Sequence, residues 1–557
     1  MLKSALNHSD VVIISDDNPR SENPEAIIKD IVSSTDIFLP WWIIRNRQQA
    51  ITSIIRLAQK EDIVLICGKG SEDYQEIEGI RHHFNDREET LKALSEREAI
   101  NKDDDELILP IDQTLLKLLL TPNWEPEPKG YREPSSYYFL STDSRSIKPG
   151  SVFIAIKGER YDGHSYLEDI LKIKENCAIG EIPYPLNQSS EKNRYYQVDN
   201  CLKAMGLISR KYLQLFPAKK IALTGSTGKT TCKELMAQVL QSSAPVLKTL
   251  ANENNIIGLC KTIIRIKPEQ QYAIFELGTN HFGEIAALAE VANPDIGIIL
   301  NIGPSHLEYF GDEEGVFREK ITLFKRPLAL RLYPGDDYRF KCFANEGISI
   351  GYNENCDYRI TQHKCYRENQ SFYLNEDLWV LPYGVPHFAL NSAFAIVLGL
   401  KLGIKKEKIQ TALNEPIQLE LRNQVEKRGT GLLILDCYNA NPYSMQKALE
   451  YWQELNPELP HYAILGDMLE LGDSSIMYHQ MISAMLSEMH YEQLITVGNY
   501  SRIFHPENES PILHYNTVEE LIANRKLNSL PENAVILVKG SHAIQLERII
   551  PILKGEN

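Results

Sequence analysis

The sequence predicts an α/β protein built on parallel sheets that helices cover on both faces. Short apolar runs recur along the chain, each ends in Gly, Asp or Asn, and a helix-like segment follows each one. Uninterrupted apolar runs of this length are typical of strands buried on both faces. The runs span 10–16, 62–68, 219–225, 272–278, 296–303, 432–438, 462–468, 493–499 and 534–540. Because ligands of such sheets bind beyond the carboxyl ends of the strands, the polar residues after the runs are the candidate site.

Size and composition limit the possible functions. At 557 residues the chain is long enough for three or four domains of about 150 residues each. Lys and Arg number 59 against 75 Asp and Glu, and the resulting formal charge of −16 argues against nucleic acid or an anionic membrane as the main partner. No apolar run approaches the roughly 20 residues of a membrane-spanning helix. Residues 1–10 lack the apolar core of a signal peptide, and nine scattered cysteines without C-x-x-C pairs favour reduced thiols in the cytoplasm.

Two polar segments separate the first apolar runs from the rest of the chain. Residues 97–110 are strongly charged and end in Pro, and residues 121–134 are rich in Pro. Both features predict a linker followed by a new domain, although an irregular surface loop within one domain would have the same composition. The motif K-G-S-x-x-x-Q occurs at 69–75 and again at 539–545, each time after an apolar run. This echo indicates the same kind of structural element near both ends of the chain.

The strongest chemical signal is L-T-G-S-T-G-K-T-T at 223–231, a loop that follows an apolar run and opens a helix-like segment. Backbone N–H groups and the helix N-terminus of such a loop bind phosphate oxygens. Lys229 would neutralise the β and γ phosphates of a nucleotide, and the Thr230 hydroxyl would bind Mg²⁺. Leu223 stands where the general pattern has its first Gly, so the loop is a variant. The predicted nucleotide-binding residues of the loop are Gly225, Ser226, Thr227, Gly228, Lys229, Thr230 and Thr231.

Polar side chains also follow other predicted strands. Glu276 lies at the end of an apolar run, where a carboxylate can hold Mg²⁺ directly or through water, although a solvated strand end is the alternative. His306 lies just beyond the run 296–303, but a single His is more often structural than catalytic. Three amides, those of Asn252, Asn254 and Asn255, would suit hydrogen bonds to a substrate, although a capped helix start would use the same residues.

From about residue 111 onwards the chain resembles the Mur ligase family. The resemblance rests on the number and order of matching segments. These are STDSRSIKPGSVFIAIKGERYDGH (141–164), LTGSTGKTT (223–231), KTLANENN (248–255), FELGTNHFGEI (275–285), NIGPSHLEYFG (301–311), DCYNANPYSM (436–445), LGDMLELG (465–472) and VKGSHAIQLE (538–547). The first and sixth segments favour the branch of the family that adds D-alanyl-D-alanine to UDP-N-acetylmuramoyl-tripeptide (UDP-MurNAc-tripeptide) in peptidoglycan synthesis.

The resemblance implies a three-domain Mur ligase fold with an additional segment in front. The front segment, a partial Rossmann-like α/β unit with its linker, would span 1–105. A UDP-binding domain (106–217), a central P-loop ATPase domain (218–417) and a C-terminal Rossmann-like domain (418–557) would follow. A hinge near residues 415–422 would allow closure on ligands. The resemblance also implies a cytoplasmic monomer that uses ATP and Mg²⁺, without nucleic acid and without membrane insertion.

The resemblance also assigns roles to individual positions. Residues near the UDP group would be Thr142, Ser144, Arg145, Lys157 and Gly158. Further ATP-site residues would be His387, Asn391, Arg422, Asp436 and Asn439. Asp467 would face the nucleotide or the incoming amine, and Glu276 and His306 would join Thr230 at the metal. The chain departs from the family pattern at Phe388, Leu421, Asn423 and His542.

The implied chemistry activates a peptide carboxylate by converting it with ATP to an acyl phosphate. Lys229 and Mg²⁺ would stabilise the charge on the transferring phosphoryl group, and the amine of D-alanyl-D-alanine would then displace phosphate. Lys320 matches a lysine that relatives carbamylate to help hold a second Mg²⁺. Thr322 stands where an acidic residue is common, so a carbamylated lysine and a plain surface lysine both stay open. The implied catalytic residues are Lys229, Glu276, His306 and Lys320.

The first hundred residues resemble the last part of the C-terminal domain of a related ligase, the one that adds meso-diaminopimelate to UDP-MurNAc-dipeptide. The matches are D-N-P-R at 17–20 and G-K-G-S-E at 68–72, with Ser71 where His is usual. The sequence has no counterpart for the front half of that domain. We therefore expect a remnant of a fused pair of ligases that does not bind diaminopimelate productively. An unrelated α/β cap and a longer two-enzyme chain are the alternatives.

Two other functions compete with a single ligase activity. A bifunctional ligase would act at both steps, but the sequence has one phosphate loop and one set of UDP-binding motifs. A non-catalytic scaffold of the same pathway is disfavoured because Lys229, Thr230, Glu276 and His306 are all present. The sequence leaves open whether the third residue of the peptide is diaminopimelate or lysine.

Overall fold

The computed structural model describes most of the chain after residue 139 and shorter stretches before it. The described residues are 4–5, 8–9, 11–17, 26–27, 30–31, 41–44, 46–58, 62–70, 72–77, 80–99, 111–112, 116, 136–137, 139–158, 161–183, 194–267, 269–366, 368–417, 419–504, 511–524 and 526–556. The chain divides into two compact units. The first unit combines 1–219 with 253–273 and 290–293, and the second combines 220–252, 274–289 and 294–557. The predicted division into four parts stays a prediction.

The front segment contains two small sheets and two helices. Its elements are β1 (Val12–Ile14), β2 (Trp41–Ile43), α1 (Arg47–Leu57), β3 (Tyr74–Ile77), β4 (Ile80–His83) and α2 (Asp86–Ala99). β1 and β2 pair in parallel, and β3 and β4 form an antiparallel hairpin. A small core of Ile51, Ile55 and Ala93 joins the two helices, and Val64 and Ile66 pack against it. β1 confirms the strand predicted in the run 10–16.

A four-stranded parallel sheet dominates residues 139–213. After the short antiparallel pair of β5 (Ile111–Asp112) and β6 (Ser136–Tyr137), the elements are β7 (Phe139–Ser141), β8 (Ser151–Ile154), α3 (Leu167–Lys172), β9 (Cys177–Gly180), β10 (Tyr195–Gln197) and α4 (Cys201–Leu213). The strand order is β10-β9-β8-β7, with every neighbouring pair parallel. Phe153, Leu167 and Ala178 belong to the core between α3 and this sheet. The carboxyl ends of β7 and β8 therefore lie side by side.

The central part of the chain is built on a nine-stranded sheet. Its elements are β11 (Lys219–Thr224), α5 (Lys229–Gln241), β12 (Val246–Lys248), α6 (Ile256–Ile264), β13 (Tyr272–Glu276), α7 (Glu284–Ala292), β14 (Ile296–Ile299), α8 (Leu307–Phe310), α9 (Glu313–Lys320), β15 (Leu330–Pro334), β16 (Ile348–Gly351), β17 (Tyr358–Cys365), β18 (Gln370–Leu374), β19 (Asp377–Leu381), α10 (Phe388–Lys401) and α11 (Lys406–Leu413). The order is β12-β13-β11-β14-β15-β16-β17-β18-β19. The phosphate loop thus follows a strand that has β13 on one side and β14 on the other. The three strands predicted in this part are confirmed.

The C-terminal part is a six-stranded sheet in which one strand is antiparallel. Its elements are β20 (Gln424–Arg428), β21 (Gly431–Asp436), α12 (Pro442–Glu454), β22 (His461–Gly466), α13 (Ser475–Ser487), β23 (Gln493–Val497), β24 (Ile512–Tyr515), α14 (Val518–Ala523), β25 (Val535–Lys539) and α15 (Ile550–Lys554). The order is β20-β21-β25-β22-β23-β24, and only the pair of β20 and β21 is antiparallel. All five residues of β25 are buried. The four strands predicted here are confirmed, and so is the α/β class.

One predicted strand is wrong, and the C-terminal sheet explains why. Residues 62–66 are described and lie in no strand. The motif K-G-S-x-x-x-Q follows this run at 69–75 and recurs at 539–545, at the end of β25, so the run corresponds to β25. In the C-terminal sheet, β25 pairs with β21 and β22. The parallel pair of β1 and β2 matches the pair of β23 and β24, but the described part of the front segment has no counterpart of β21 or β22. Without these neighbours the backbone of the run has no ladder to join, and Ile63 and Leu65 are 94% and 81% exposed.

Among the described residues, no helix is both long enough and apolar enough to cross a membrane. All nine cysteines are free thiols, as their scattered spacing predicts.

Candidate active site

The loop after β11 is fastened to the loop after β14. The Ser226 hydroxyl donates to the carbonyl of Gly303 at 2.9 Å, and the Thr227 N–H donates to Asn301 Oδ1 at 2.9 Å. Asn301 Nδ2 returns a hydrogen bond to the Thr227 carbonyl at 3.1 Å. These side-chain bonds fix the loop so that its other N–H groups can face a ligand. Asn301 is not among the predicted site residues, although its place directly after the strand β14 and Leu300 gives it the position of other site residues.

Two glycines allow close packing around the loop. Gly228 has φ +74°, a conformation that favours glycine, and a Cβ there would lie 2.8 Å from Asn391 Oδ1. A Cβ on Gly225 would lie 3.0 Å from Leu300. Asn391 is buried in α10, so the structure places this predicted ATP-site residue against the phosphate loop. Its role toward the adenine side stays a prediction.

Thr230 and Glu276 form a buried pair where α5 begins. The Thr230 hydroxyl lies 3.1 and 3.3 Å from the two carboxylate oxygens of Glu276, which is 2% exposed. The N–H of Glu276 also donates to Thr249 Oγ1 at 3.1 Å. Lys229 Nζ donates to the carbonyl of Gly225 at 2.8 Å, so the ammonium lies over the loop. Burial lowers the pKa of Lys229, while the charge of Glu276 opposes that shift.

Lys320 is buried at the end of α9, with 1% of its surface exposed. Burial lowers the pKa of Lys320 well below the usual lysine value, and the nearby charge of Lys229 lowers it further. The neighbouring Glu319 carboxylate accepts hydrogen bonds from the N–H groups of Gly283 and Ile285, both at 2.7 Å. The alternative of a plain surface lysine at 320 is therefore wrong, because the side chain is inside the protein.

His306 contacts a residue from the C-terminal part of the chain. Its Nδ1 lies 2.6 Å from Glu470 Oε2, and its ring packs edge-on against Phe310. His306 and Glu470 both have positive φ angles, +53° and +63°, which are uncommon for residues other than glycine. This close contact with His306 is the main cause that lowers the pKa of Glu470.

The chemistry of the Thr230–Glu276 pair fits Mg²⁺. A hydroxyl and a carboxylate are oxygen ligands, and Mg²⁺ commonly takes one or two protein carboxylates and keeps several waters. Within the described ranges, no group of three or more His, Cys, Asp or Glu side chains could hold a metal ion. A magnesium ion at this position would therefore have few protein ligands. The contacts of His306 are with Glu470 and Phe310, so its metal role stays a prediction.

Asp436 and Asn439 meet a buried lysine at the end of β25. Lys539 Nζ lies 2.5 Å from Asp436 Oδ2 and 3.3 Å from the carbonyl of Asn439. Lys539 is 0% exposed, and Asp436 is 7% exposed. Asp436 also accepts a hydrogen bond from the N–H of Asn423 at 3.2 Å. Lys539 thus holds the two predicted ATP-site residues together, although the K-G-S motif that contains this lysine predicts no such role for it.

The segment around Arg422 has unusual backbone conformations. Leu421 and Asn423 have φ values of +57° and +50°, and both depart from the family pattern. The guanidinium of Arg422 lies 3.9 Å from the centre of the Tyr438 ring. Asn423 Nδ2 lies 3.3 Å from His387 Nε2, which links this segment to the start of α10. Positive φ angles cost free energy for residues other than glycine, and the hinge near 415–422 stays a prediction.

The free energy of unfolding is expected to fall as the pH drops from about 6.5 towards 4 because of His387. Desolvation of the partly buried imidazole lowers the pKa of His387 from 6.5 to about 4, although the charge of Asp436 opposes this. In that window the unfolded chain binds the proton and the folded chain does not, so acid favours unfolding. Urea unfolding at several pH values should give a shallower pH slope for His387→Gln than for the wild-type chain. Equal slopes would contradict this assignment, and the exposed His490→Gln serves as the control.

The predicted UDP-site residues lie at the carboxyl ends of β7 and β8. Ser144 and Arg145 belong to a short 3-10 helix that begins after Thr142, and Arg145 donates to Asp143 through Nε and Nη2 at 2.9 and 2.8 Å. Lys157 and Gly158 follow β8 in an exposed turn, where the Gly158 N–H donates to the carbonyl of Tyr161 at 2.9 Å. The structure therefore brings these residues to the edge where ligands of parallel sheets bind.

The remaining predicted substrate residues have mainly structural contacts. Asn255 is the N-cap of α6 and accepts from the N–H of Gly258 at 2.9 Å, which is the capped turn considered as its alternative. Asn252 is exposed, and Asn254 is partly buried. Asp467 accepts from the N–H groups of Asn499, Tyr500 and Ser501 at 2.7 to 3.2 Å. Their roles toward a substrate stay predictions.

Comparison with protein-family models divides the chain in the same order as its motifs. The model described as Mur ligase family, catalytic domain, matches residues 136–181. The Mur ligase middle domain matches residues 223–398. The Mur ligase glutamate ligase domain matches twice, at residues 1–70 and 421–542.

Full-length relatives decide the family. The chain is 30% identical over 430 residues to UDP-N-acetylmuramoyl-tripeptide--D-alanyl-D-alanine ligase of Bacillus subtilis, an alignment that covers 75% of this chain and 93% of the relative. The ligase of the same name from Buchnera aphidicola is 31% identical, and the alignment covers 74% of this chain and 93% of the relative. The chain belongs to the Mur ligase family. A crystal structure of MurF from Acinetobacter baumannii superposes on this chain with a TM-score of 0.71 and 27% sequence identity. The superposition covers 80% of this chain and 99% of the MurF chain.

The two matches to the Mur ligase glutamate ligase domain confirm that both ends of the chain are related. The first match ends at Gly70, in the echoed K-G-S motif, and the second includes the same motif after β25. In the front segment, Asp17 lies beside Gly68, where a Cβ would be 3.2 Å from its carboxylate. Arg47 forms a bidentate pair with Asp86, with both distances 2.7 Å. The predicted residues Asn18, Pro19, Arg20 and Ser71 lie outside the described residues.

Proposed function

We propose that the chain is an ATP-dependent ligase that joins D-alanyl-D-alanine to UDP-MurNAc-tripeptide and forms UDP-MurNAc-pentapeptide, ADP and phosphate. The observation that carries the proposal is the alignment with the Bacillus subtilis ligase, since it covers 93% of that enzyme. The geometry supports the same conclusion, because a phosphate loop, a lysine and a buried hydroxyl–carboxylate pair lie together at one end of the central sheet.

The reaction begins with phosphoryl transfer from ATP to the terminal carboxylate of the tripeptide. A carboxylate oxygen attacks the γ phosphorus, the bond to the β-phosphate oxygen breaks, and an acyl phosphate forms. Loop N–H groups and Lys229 Nζ hold the phosphates and stabilise the charge of the transferring group. Thr230 and Glu276 would hold Mg²⁺, which supplies further positive charge to the phosphates.

The second step forms the new peptide bond. The amine of D-alanyl-D-alanine attacks the acyl carbon, the bond from carbon to the phosphate oxygen breaks, and the amine loses a proton. The sheet edge that carries Asp436, Asn439 and Lys539 would face the nucleotide from the C-terminal part of the chain. The strained backbone at Leu421 and Asn423 precedes this part and would allow its movement during the cycle.

Lys320 is proposed to be carbamylated, which would place a carboxylate beside Lys229. A neutral amine is needed to attack CO₂, and burial favours the neutral form of Lys320 by lowering its pKa. The nitrogen bonds to the carbon of CO₂, and a proton leaves. Lys320→Ala is expected to lower kcat at least about 10-fold, by loss of a charged group from the site. Short carboxylic acids such as formate should restore part of the activity, because they can replace the carbamate.

Carbon-13 NMR with labelled bicarbonate measures the carbamate directly. The wild-type chain should give a carbamate signal that Lys320→Ala lacks. Lys325→Ala offers a control, since this residue lies in the next turn and is exposed. Absence of the signal, together with normal turnover of Lys320→Ala, would contradict the proposal.

A coupled assay of phosphate release tests the function as a whole. Release should need UDP-MurNAc-tripeptide, D-alanyl-D-alanine, ATP and Mg²⁺ together, and omission of any one should abolish it. A parallel reaction with UDP-MurNAc-dipeptide and diaminopimelate should yield no tripeptide. Product formation in that reaction would instead support a bifunctional ligase, and lack of release in both would support a scaffold.

A further inference from the structure

Lys233 is a buried cation that the proposed reaction does not use. Its side chain is 0% exposed, and Nζ lies 3.3 Å from Glu234 Oε1 and 3.7 Å from Glu276 Oε2. In the part of the chain that the structure describes, Nζ makes no hydrogen bond. Burying an ammonium removes its hydration, a large penalty that only nearby carboxylates offset. An apolar side chain would fill the same space without this penalty, so the charge itself requires an explanation.

The position of Lys233 in α5 directs this charge at Glu276. Thr230 and Lys233 are three residues apart, so they lie on the same face of the helix. That face meets the end of β13, where Thr230 Oγ1 lies 3.1 Å from the same carboxylate oxygen that Lys233 approaches to 3.7 Å. One helix therefore contacts the carboxylate with a hydroxyl and with a positive charge.

A second ion pair holds Lys233 in place. Glu234 contacts Lys233 and also contacts Lys248, at the end of β12. Lys248 is 30% exposed and contacts Glu234 rather than Glu276. The network therefore contains a matched control, because loss of Lys248 removes one cation while the contact between Lys233 and Glu276 stays.

We propose that Lys233 is a positioning residue that orients the Glu276 carboxylate toward Mg²⁺. The inference rests on the proposed function, since it concerns the metal of that site. Partners in the outer shell of a metal site fix the orientation of the ligands, and their loss typically costs 10- to 100-fold in metal affinity. Without Lys233 the carboxylate would lose the positive charge that α5 places beside it and could rotate away from the metal.

The test compares Lys233→Met, Lys233→Arg and Lys248→Met in the full chain. Calorimetry measures ADP binding first with a chelator and then at increasing Mg²⁺, so it needs neither peptide substrate nor turnover. We expect Lys233→Met to keep the metal-free affinity for ADP and to raise the Mg²⁺ midpoint about 10- to 100-fold. Lys233→Arg retains the positive charge, so its Mg²⁺ midpoint should stay close to that of the wild-type chain. Lys248→Met should leave the midpoint unchanged.

An unchanged Mg²⁺ midpoint in Lys233→Met, with only a lower melting temperature, would overturn the proposal. If Lys233→Met does not fold, Lys233→Gln decides the matter, because it removes the positive charge, keeps a polar side chain and leaves Glu234 and Glu276 intact. A midpoint raised several-fold in Lys233→Gln would support the proposal, and an unchanged midpoint would reject it. A wild-type chain that binds ADP in a Mg²⁺-dependent way but fails to ligate would reject the proposed function and leave this result standing.

Discussion

Lys229→Ala is expected to lower kcat for phosphate release at least about 100-fold, the loss typical of one group that stabilises transition-state charge. The Lys229 ammonium lies over the phosphate loop, 2.8 Å from the Gly225 carbonyl, where it can move onto the transferring phosphoryl group. The surrounding loop is held by Asn301 and should keep its shape in the variant. Steady-state assays at saturating substrates measure the effect on kcat.

A lysine variant away from the loop is the control for a nonspecific effect of removing a lysine side chain. Lys408 is exposed on α11, and Lys408→Ala should turn over like the wild-type chain. Thermal unfolding of both variants should show intact folding. Near-normal turnover of Lys229→Ala would reject the assignment of this lysine to phosphoryl transfer.

Asp436→Asn is expected to destabilise the chain by about 3 to 5 kcal/mol, the cost of leaving a buried charge without its partner. Lys539 is fully buried, and its ammonium lies 2.5 Å from Asp436 Oδ2. The backbone carbonyls of Asn439 at 3.3 Å and Asp436 at 3.5 Å also accept from this ammonium, but neither neutralises the charge. The free energy of unfolding from urea titration measures the change.

A double variant separates the lost pair from the stranded charge. Asp436→Asn combined with Lys539→Met should recover much of the stability, because no buried ammonium remains. Asp377→Asn is the control, since its pair with Lys406 is about half exposed and such pairs contribute roughly 0 to 1 kcal/mol. A double variant as unstable as Asp436→Asn would show that the loss comes from Asp436 rather than from Lys539.

Local sequence predicts the strands and the phosphate loop because both depend on neighbouring residues. The apolar runs at 219–225 and 534–540 form strands when helices cover both of their faces. The helices that follow these runs in the sequence belong to the same α/β layers and provide part of that cover. The run 62–68 has the same local pattern but no strands beside it in the described front segment. Periodicity therefore identifies a segment able to form a strand, while the partners decide whether it does.

The candidate site shows the same division. Thr230 and Glu276 are both predicted as metal-site residues, because one opens the helix after the phosphate loop, the other ends an apolar run, and the family resemblance groups them. The structure adds that their strands β11 and β13 are neighbours in the sheet. Lys233 is not predicted, since a lysine four residues after Lys229 looks like any solvent-exposed helix position until its burial is known. The pairing of His306 with Glu470 joins residues more than 160 positions apart, and nothing in their local sequence indicates it.

The unpaired run of the front segment has a consequence for handling the protein. Ile63 and Leu65 are exposed in a segment that forms no strand, while Val64 and Ile66 pack against the small core. Such a stretch offers exposed apolar side chains of high strand propensity to other chains, which favours intermolecular strand pairing. The rate of aggregation at high protein concentration should therefore depend more on these few residues than on the residues of the candidate active site. A charged residue at position 63 or 65 is the simplest route to samples that remain dispersed.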